Sequence, residues 1–79
     1  MIIFRLVTED GVYDSHSLKG VKTITKPDEY IQAVAPDGLT VLGRALKEDA
    51  TPLWAATIGE KYGYDYKIER PRPLGFYQP

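Results

Sequence analysis

The sequence has no cysteine and only one histidine among its 79 residues. Without cysteine there is neither a disulfide nor a thiolate metal site, so stability must come from packing, from a partner or from self-association. The absence of cysteine also fits the cytoplasm, which is the location that we expect. Carboxylates remain as the main metal ligands, but Glu9-Asp10 and Glu48-Asp49 lack the spacing of a calcium-binding loop. We therefore predict no metal and no cofactor.

An excess of charge and a long apolar run are also missing. Ten basic and eleven acidic residues give a formal net charge of −1, which is too balanced to attract nucleic acid or a membrane surface over long range. No segment approaches the ~20 apolar residues of a membrane-spanning helix. The apolar run at the N-terminus is shorter than that of a signal peptide and contains Arg5. We expect a soluble protein that does not associate with membranes.

Length and the spread of apolar residues predict one small domain. A chain this short buries only about 60% of its unfolded surface and cannot support two independent cores. We predict a compact domain over residues 1–70, followed by a tail over residues 71–79. The tail contains three prolines, which favour an extended, polyproline-like chain.

The first part of the chain predicts a hairpin. Apolar residues alternate over Ile2–Thr8, which is typical of a strand, and Asp10-Gly11 is a strong turn signal. Val12–Ser17 would be the returning strand, at a sheet edge because it is weakly apolar. Its register stays open, since a two-residue turn sets its first residue opposite Glu9 and a three-residue turn sets it opposite Thr8.

The middle of the chain is less clear. Leu18–Gly20 predicts a turn and Val21–Ile24 a short strand or extended link. For the next segment we favour a short helix over Pro27–Val34, because two acidic residues stand where the helix dipole stabilises them. The alternative is a strand over Tyr30–Ala35, which would form a second hairpin with Leu39–Leu42.

The second half predicts a strand, a helix and a last strand. Leu39–Leu46 has apolar residues on both faces, as a central strand covered on each side would have. Thr51 is a suitable N-cap, followed by Pro52 at the first helical position, and Gly63 can end the helix in a left-handed conformation. Tyr64–Arg70 then alternates like a strand. One side of the predicted helix carries the apolar residues Trp54, Ala55, Ile58, Gly59 and Tyr62.

Together these elements predict an α+β fold. The economical arrangement is an antiparallel or mixed sheet of four to five strands with one or two helices packed on it. An edge strand without a neighbour is a template for pairing, so a homodimer through an edge strand is one outcome that we consider.

Catalytic residues are sparse. Asp14, His16 and the serines beside them suggest a hydrolytic triad, but in a strand Asp14 and His16 share one face while Ser15 and Ser17 point to the other. A nucleophile must lie within hydrogen-bond reach of its base. We therefore predict that the protein is not an enzyme, and a small enzyme or a subunit that completes another active site is the third hypothesis.

A weak single-stranded nucleic-acid binder is the second hypothesis. Tyr64 and Tyr66 could stack on bases if they faced solvent. Lys67, Arg70 and Arg72 would then contact phosphates, but three cations give weak binding.

A non-catalytic protein-binding module is the hypothesis that we favour. Arginine and tyrosine are frequent anchors of protein interfaces, and they are concentrated near the C-terminus. Such a module would dock on a larger partner protein, as small accessory and inhibitor proteins encoded by phages do; this comparison rests on size and composition. The competing interpretation is that the tail packs on the Trp54 helix of its own domain. The predicted partner-binding residues are Tyr64, Tyr66, Arg70, Arg72, Phe76 and Tyr77.

Overall fold

The structure, a computed structural model, describes residues 1–67. A four-stranded antiparallel sheet and two α-helices confirm the predicted α+β class. A short 3-10 turn at Lys47–Asp49 leads into the second helix. The tail over residues 71–79 lies outside the described residues. The elements are β1 (Ile3–Thr8), β2 (Gly11–Ser15), α1 (Leu18–Ile24), β3 (Tyr30–Val34), β4 (Val41–Leu46) and α2 (Pro52–Tyr62).

The strands lie in the order β2-β1-β3-β4, and every neighbouring pair is antiparallel. Within the sheet formed by residues 1–67, the prediction of an edge position for β2 is confirmed. The prediction of a central position for the Leu39–Leu46 strand is wrong for that sheet, because β4 is its other edge. Its apolar pattern has a different origin: Ala33 pairs with Gly43 but Val34 pairs with Val41, so Leu42 is an extra residue in a bulge. Leu42 packs against the core, and the bulge interrupts the alternation that suggested two covered faces.

The β1–β2 hairpin has a register that neither predicted turn describes. Thr8 pairs with Gly11 and Val7 with Val12, so the two-residue loop is Glu9–Asp10. The Thr8 side chain selects this loop, since its Oγ1 accepts from the Asp10 N–H at 3.2 Å and donates to the Gly11 carbonyl at 3.1 Å. Val12 therefore lies on the same face of the sheet as Val7.

Helix α1 replaces the turn and the short strand that were predicted over residues 18–24. Ser17 caps it, with its Oγ accepting from the Gly20 N–H at 3.0 Å. Leu18 and Val21, three residues apart, are both buried against the sheet. A capping serine and apolar residues at this spacing are typical of a short amphipathic helix. Gly20, which disfavours a helix, suggested a turn instead.

Strand β3 shows that the predicted helix over Pro27–Val34 is wrong and that the alternative hairpin is correct. The residues before β3 form a turn that two hydrogen bonds hold. The Glu29 N–H donates to the Lys26 carbonyl, and the Glu29 carboxylate accepts from the Lys26 N–H. The loop after β3 is held by Asp37, whose carboxylate accepts from the N–H groups of Leu39 and Thr40. Segment 30–34 is a strand because it pairs with β1 on one side and β4 on the other. Its local sequence preference does not determine this conformation.

Helix α2 confirms the predicted capped helix. The Thr51 Oγ1 accepts from the Trp54 N–H at 3.2 Å, and Gly63 ends the helix with φ of 76°. Ala55, Ile58 and Gly59 are buried, whereas Trp54 is half-buried and Tyr62 is exposed, so the apolar side is narrower than the sequence predicted.

The chain after α2 folds back along the helix. The Asp65 carbonyl accepts from the Ile2 N–H at 2.7 Å, and Lys67 forms a single parallel bridge with Ser17. Residues 64–67 therefore form no strand of their own. The remaining residues of the predicted Tyr64–Arg70 strand lie outside the described part.

The core lies on one side of the sheet. Phe4, a central residue of β1, is fully buried, and its ring centroid lies 6.2 Å from that of Trp54 on α2. Both helices pack on this side, so helices cover only one face of the sheet in the described part of the chain. The other buried residues of this core are Ile2, Leu6, Leu18, Val21, Ile31, Ala33, Ala45, Ala50, Ala55 and Ile58.

Candidate protein-binding surface

The sheet surface opposite the helices is the open face, and cross-strand pairing arranges its side chains in three rows. Because side chains alternate along a strand, the residues next to the core positions point to the open face. The first row, which we call the polar row, crosses all four strands as Asp14, Arg5, Gln32 and Arg44. The second, the apolar row, contains Val12, Val7, Tyr30 and Leu46. The third row, at the end away from the β1–β2 turn, contains Ile3, Val34 and Val41, and its Val34 is fully buried.

An ion pair with two hydrogen bonds anchors the polar row. The Arg5 Nε lies 2.7 Å from Asp14 Oδ1, and the Arg5 Nη2 lies 2.9 Å from Asp14 Oδ2. The hydrogen bonds from Arg5 hold the pKa of Asp14 below its ordinary value, and slight burial opposes them. The pair thus fixes the arginine across the β1–β2 ladder and leaves little net charge there.

The apolar row is exposed and lies at the end of the sheet that carries the β1–β2 turn. Val12 is 59% exposed, Val7 54% and Tyr30 46%. Val7 and Tyr30 line one shallow cavity of about 250 Å³, whose wall also includes Gln32 and Arg44. Two adjacent valines and a tyrosine at one sheet surface form a small apolar patch.

Arg44 is held over the apolar row. Its Cζ lies 4.5 Å from the centroid of the Tyr30 ring, within the range of a cation–π interaction. Arginine and tyrosine are the residues most often found at the energetic centre of interfaces, and here each limits the motion of the other.

Acidic turns border one end of the open face. A second cavity of about 490 Å³ lies next to Val7, between the β1–β2 turn and the segment that follows α1. Its other apolar wall is the exposed side chain of Ile24. Lys26 is the one basic residue in its lining. The acidic residues of the lining are Glu9, Asp10, Asp28 and Glu29.

The described part of the chain includes two of the residues predicted from the sequence to bind a partner. Tyr66 is half-buried and packs against the core of its own domain, which leaves little of its ring for a partner. Tyr64 is exposed, and its partner-binding role stays a prediction. The other four residues, Arg70, Arg72, Phe76 and Tyr77, lie outside the described residues.

The residues of the triad that the sequence analysis rejected make structural contacts. Asp14 binds Arg5, and the Nδ1 of His16 lies 3.0 Å from the Ile2 carbonyl oxygen. Within residues 1–67 no three side chains of histidine, aspartate or glutamate cluster as metal ligands. No helix in that same range is long and apolar enough to cross a membrane.

Comparison of the chain with protein-family models, with curated proteins and with solved structures found no match. The geometry of the open face is therefore what supports a functional proposal.

The Arg5–Asp14 pair predicts a dependence of stability on pH. Because the pKa of Asp14 is lower in the folded protein than in the unfolded chain, the pair stabilises the fold above about pH 4. This contribution is lost as the pH falls through the lowered pKa. The Asp37 carboxylate adds a dependence of the same sign, because the Leu39 and Thr40 N–H groups lower its pKa.

The measurement is the urea midpoint of unfolding as a function of pH, from neutral to acidic, for the wild type and two variants. Asp14→Asn should lower the midpoint at neutral pH and flatten its fall in acid, leaving the part due to Asp37. Asp10→Asn is the control, because the Asp10 carboxylate makes no hydrogen bond or ion pair among the described residues. An equal flattening in both variants would show that the pair does not stabilise the fold.

Proposed function

We propose that this domain is a non-catalytic protein-binding module, and that its partner docks on the open face. The observation that carries the proposal is the exposed apolar row beside an arginine already held on Tyr30. Helices cover the opposite face of the sheet, so the described fold leaves Val7, Val12 and Tyr30 partly in water. A partner that covered them would bury apolar surface without rearranging the domain.

The charges around the open face favour a protein partner over nucleic acid. Arg5 is neutralised by Asp14, so Arg44 is the one cation of the polar row that forms no ion pair within residues 1–67. The adjacent cavity presents four carboxylates against Lys26, which would repel a phosphate backbone. The partner surface that fits is apolar at its centre, with lysine or arginine placed to face the acidic turns.

Preorganisation strengthens the proposal. Ordering the side chains of an interface normally weakens binding, by about 0.5 to 1.5 kcal/mol for each flexible side chain. Arg5 is already fixed by two hydrogen bonds and Arg44 by the Tyr30 ring. A partner therefore meets a surface that is close to its bound arrangement.

The role that we propose for such a module is accessory or inhibitory. A flat face of four strands can cover a functional surface of a larger protein or hold it against another component. The domain would then change the partner's activity by steric contact, without chemistry of its own.

The test is an affinity purification from a lysate of the natural host, with and without nuclease, using the tagged full chain and two variants. We expect one protein to be recovered in near-stoichiometric amount with the wild type and to be reduced at least ten-fold with Val7→Ser/Tyr30→Ser. Leu53→Ser is the matched control, because Leu53 is 75% exposed on α2, on the other side of the domain. Far-UV circular dichroism would verify that both variants fold.

Three results would contradict the proposal. Equal recovery of the protein with the open-face variant would place the interface elsewhere, and deletion of residues 71–79 would show whether the tail carries it. Recovery that disappears with nuclease would favour the nucleic-acid hypothesis. Loss of the protein with Leu53→Ser alone would place the interface on α2.

A further inference from the structure

Strand β4 is an edge strand of the sheet formed by residues 1–67, and its regular part lacks most of the features that usually prevent edge-to-edge pairing. It has six residues and contains no proline, no lysine and no acidic residue, and these are the common protections of exposed edges. Its one charged side chain, Arg44, is drawn over the sheet by Tyr30. The bulge at Leu42 affects one end only, so the strand is regular from Gly43 to Leu46.

The opposite edge is better protected. Strand β2 is one residue shorter than β4, with five residues. The chain immediately after it, at Ser17, is bridged by Lys67. Pairing through an edge is therefore expected at β4 and not at β2.

The hydrogen bond from the Lys47 N–H to the Glu29 carbonyl, at 3.3 Å, shows which backbone groups of β4 face outward. In an antiparallel ladder the backbone groups of alternate residues point to alternate sides. Since Lys47 faces β3, the N–H groups of Leu46 and Arg44 and the carbonyl of Arg44 point away from it. No strand within residues 1–67 lies on that outer side.

We propose that two copies of this chain pair through their β4 strands, antiparallel and related by a two-fold axis. A residue that presents both its N–H and its carbonyl outward can bond reciprocally to the same edge of a second copy. A register that sets Arg44 of one copy opposite Leu46 of the other uses the regular part of the strand and avoids placing two guanidinium groups face to face. The Arg44 N–H then donates to the Leu46 carbonyl of the other copy, which already accepts from the Ala50 N–H at 2.9 Å and has a second lone pair for this bond. The net charge of −1 per chain gives little repulsion between copies.

The pairing joins two four-stranded sheets into one continuous sheet of eight strands. It uses backbone groups of the edge, so it does not depend on the proposed function of the open face. We assign the pairing strand to a second copy because β4 presents both donors and acceptors outward, so two β4 edges can bond to each other. A strand of another protein would need donors and acceptors in a matching register.

The experiment is sedimentation equilibrium of the full chain over a wide range of concentration. The wild type should pass from monomer to dimer. Arg44→Pro removes an outward N–H that makes no bond to β3, so the fold should persist while the dimer is lost. Arg44→Gln is the matched control, because it removes the charge and keeps the N–H, and it should dimerise like the wild type.

Amide hydrogen exchange of the wild type gives a measurement that does not depend on the proline variant folding. Exchange at Arg44 and Leu46 should slow as the concentration rises, while exchange at Ala45, whose N–H faces β3, should not change with dimerisation. A monomer at every concentration would overturn the proposal, as would a dimer that survives in a folded Arg44→Pro variant. Slow exchange at Arg44 in a monomer would also overturn it, because the chain itself would then cover the edge.

Discussion

Replacing Phe4 with alanine is expected to remove about 3 to 5 kcal/mol from the free energy of unfolding. The Phe4 side chain is fully buried on β1, one of the two central strands, and its ring packs near Trp54 on α2. Truncation leaves a cavity between the sheet and the helix that a small domain cannot close easily. A domain of this size has a stability of roughly 5 to 10 kcal/mol, so the substitution removes between about a third and all of it and should lower the urea midpoint strongly.

Urea unfolding followed by Trp54 fluorescence and far-UV circular dichroism measures this effect. Val7→Ala is the matched control, because Val7 is in the same strand, three residues later, but on the open face and more than half exposed. It should cost less than about 1 kcal/mol. Equal losses for the two variants would contradict the assignment of the faces of β1.

Replacing Gly59 with alanine is expected to destabilise the protein by about 2 kcal/mol, although alanine is the better helix former. A Cβ on Gly59 would lie 2.8 Å from Cε1 of Tyr66 and 2.9 Å from the backbone oxygen of Tyr64. Both distances are too short for real contacts, and the carbonyl belongs to the backbone and cannot move aside by changing a rotamer. The segment after α2 would be pushed away from the helix, and the burial of Tyr66 would be lost.

Gly20→Ala in α1 is the control for the general effect of alanine in a helix. A Cβ there meets only the Ser17 side chain, at 3.1 Å, which a small adjustment relieves, so its stability should stay close to that of the wild type. The readout is again the urea midpoint, together with amide exchange at Ile2, whose N–H bonds to Asp65. A neutral Gly59→Ala variant, with unchanged exchange at Ile2, would contradict the packing of residues 64–67 against α2.

The local signals of the sequence were sufficient for the elements with consistent caps or alternation. Thr51, Pro52 and Gly63 define both ends of α2, and each acts through its own backbone conformation or hydrogen bond. The alternation of β1 alone predicts that Phe4 and Leu6 lie on its buried face, and no other strand is needed for that prediction. The α+β class follows from such elements because an amphipathic helix and a half-apolar strand each need an apolar partner.

Where local signals conflicted, the tertiary structure decided. The acidic residues before Tyr30 favour a helix, but the alternating burial of Ile31 and Ala33 against the core requires a strand. The seven residues of α1 are too few for periodicity to outweigh Gly20. In both segments the deciding free energy comes from packing against distant residues, which no local pattern contains.

The candidate surface depended on the tertiary structure even more. The alternation of β1 places Arg5 and Val7 on one face, and that much is readable from the sequence alone. The partners Asp14, Tyr30 and Arg44 join them only through the register of three strand pairs. A shift of one residue in any register would move a whole strand's side chains to the other face. Sequence therefore determined which segments have an apolar side, whereas strand order and register, set by long-range pairing and a bulge, determined which side chains meet.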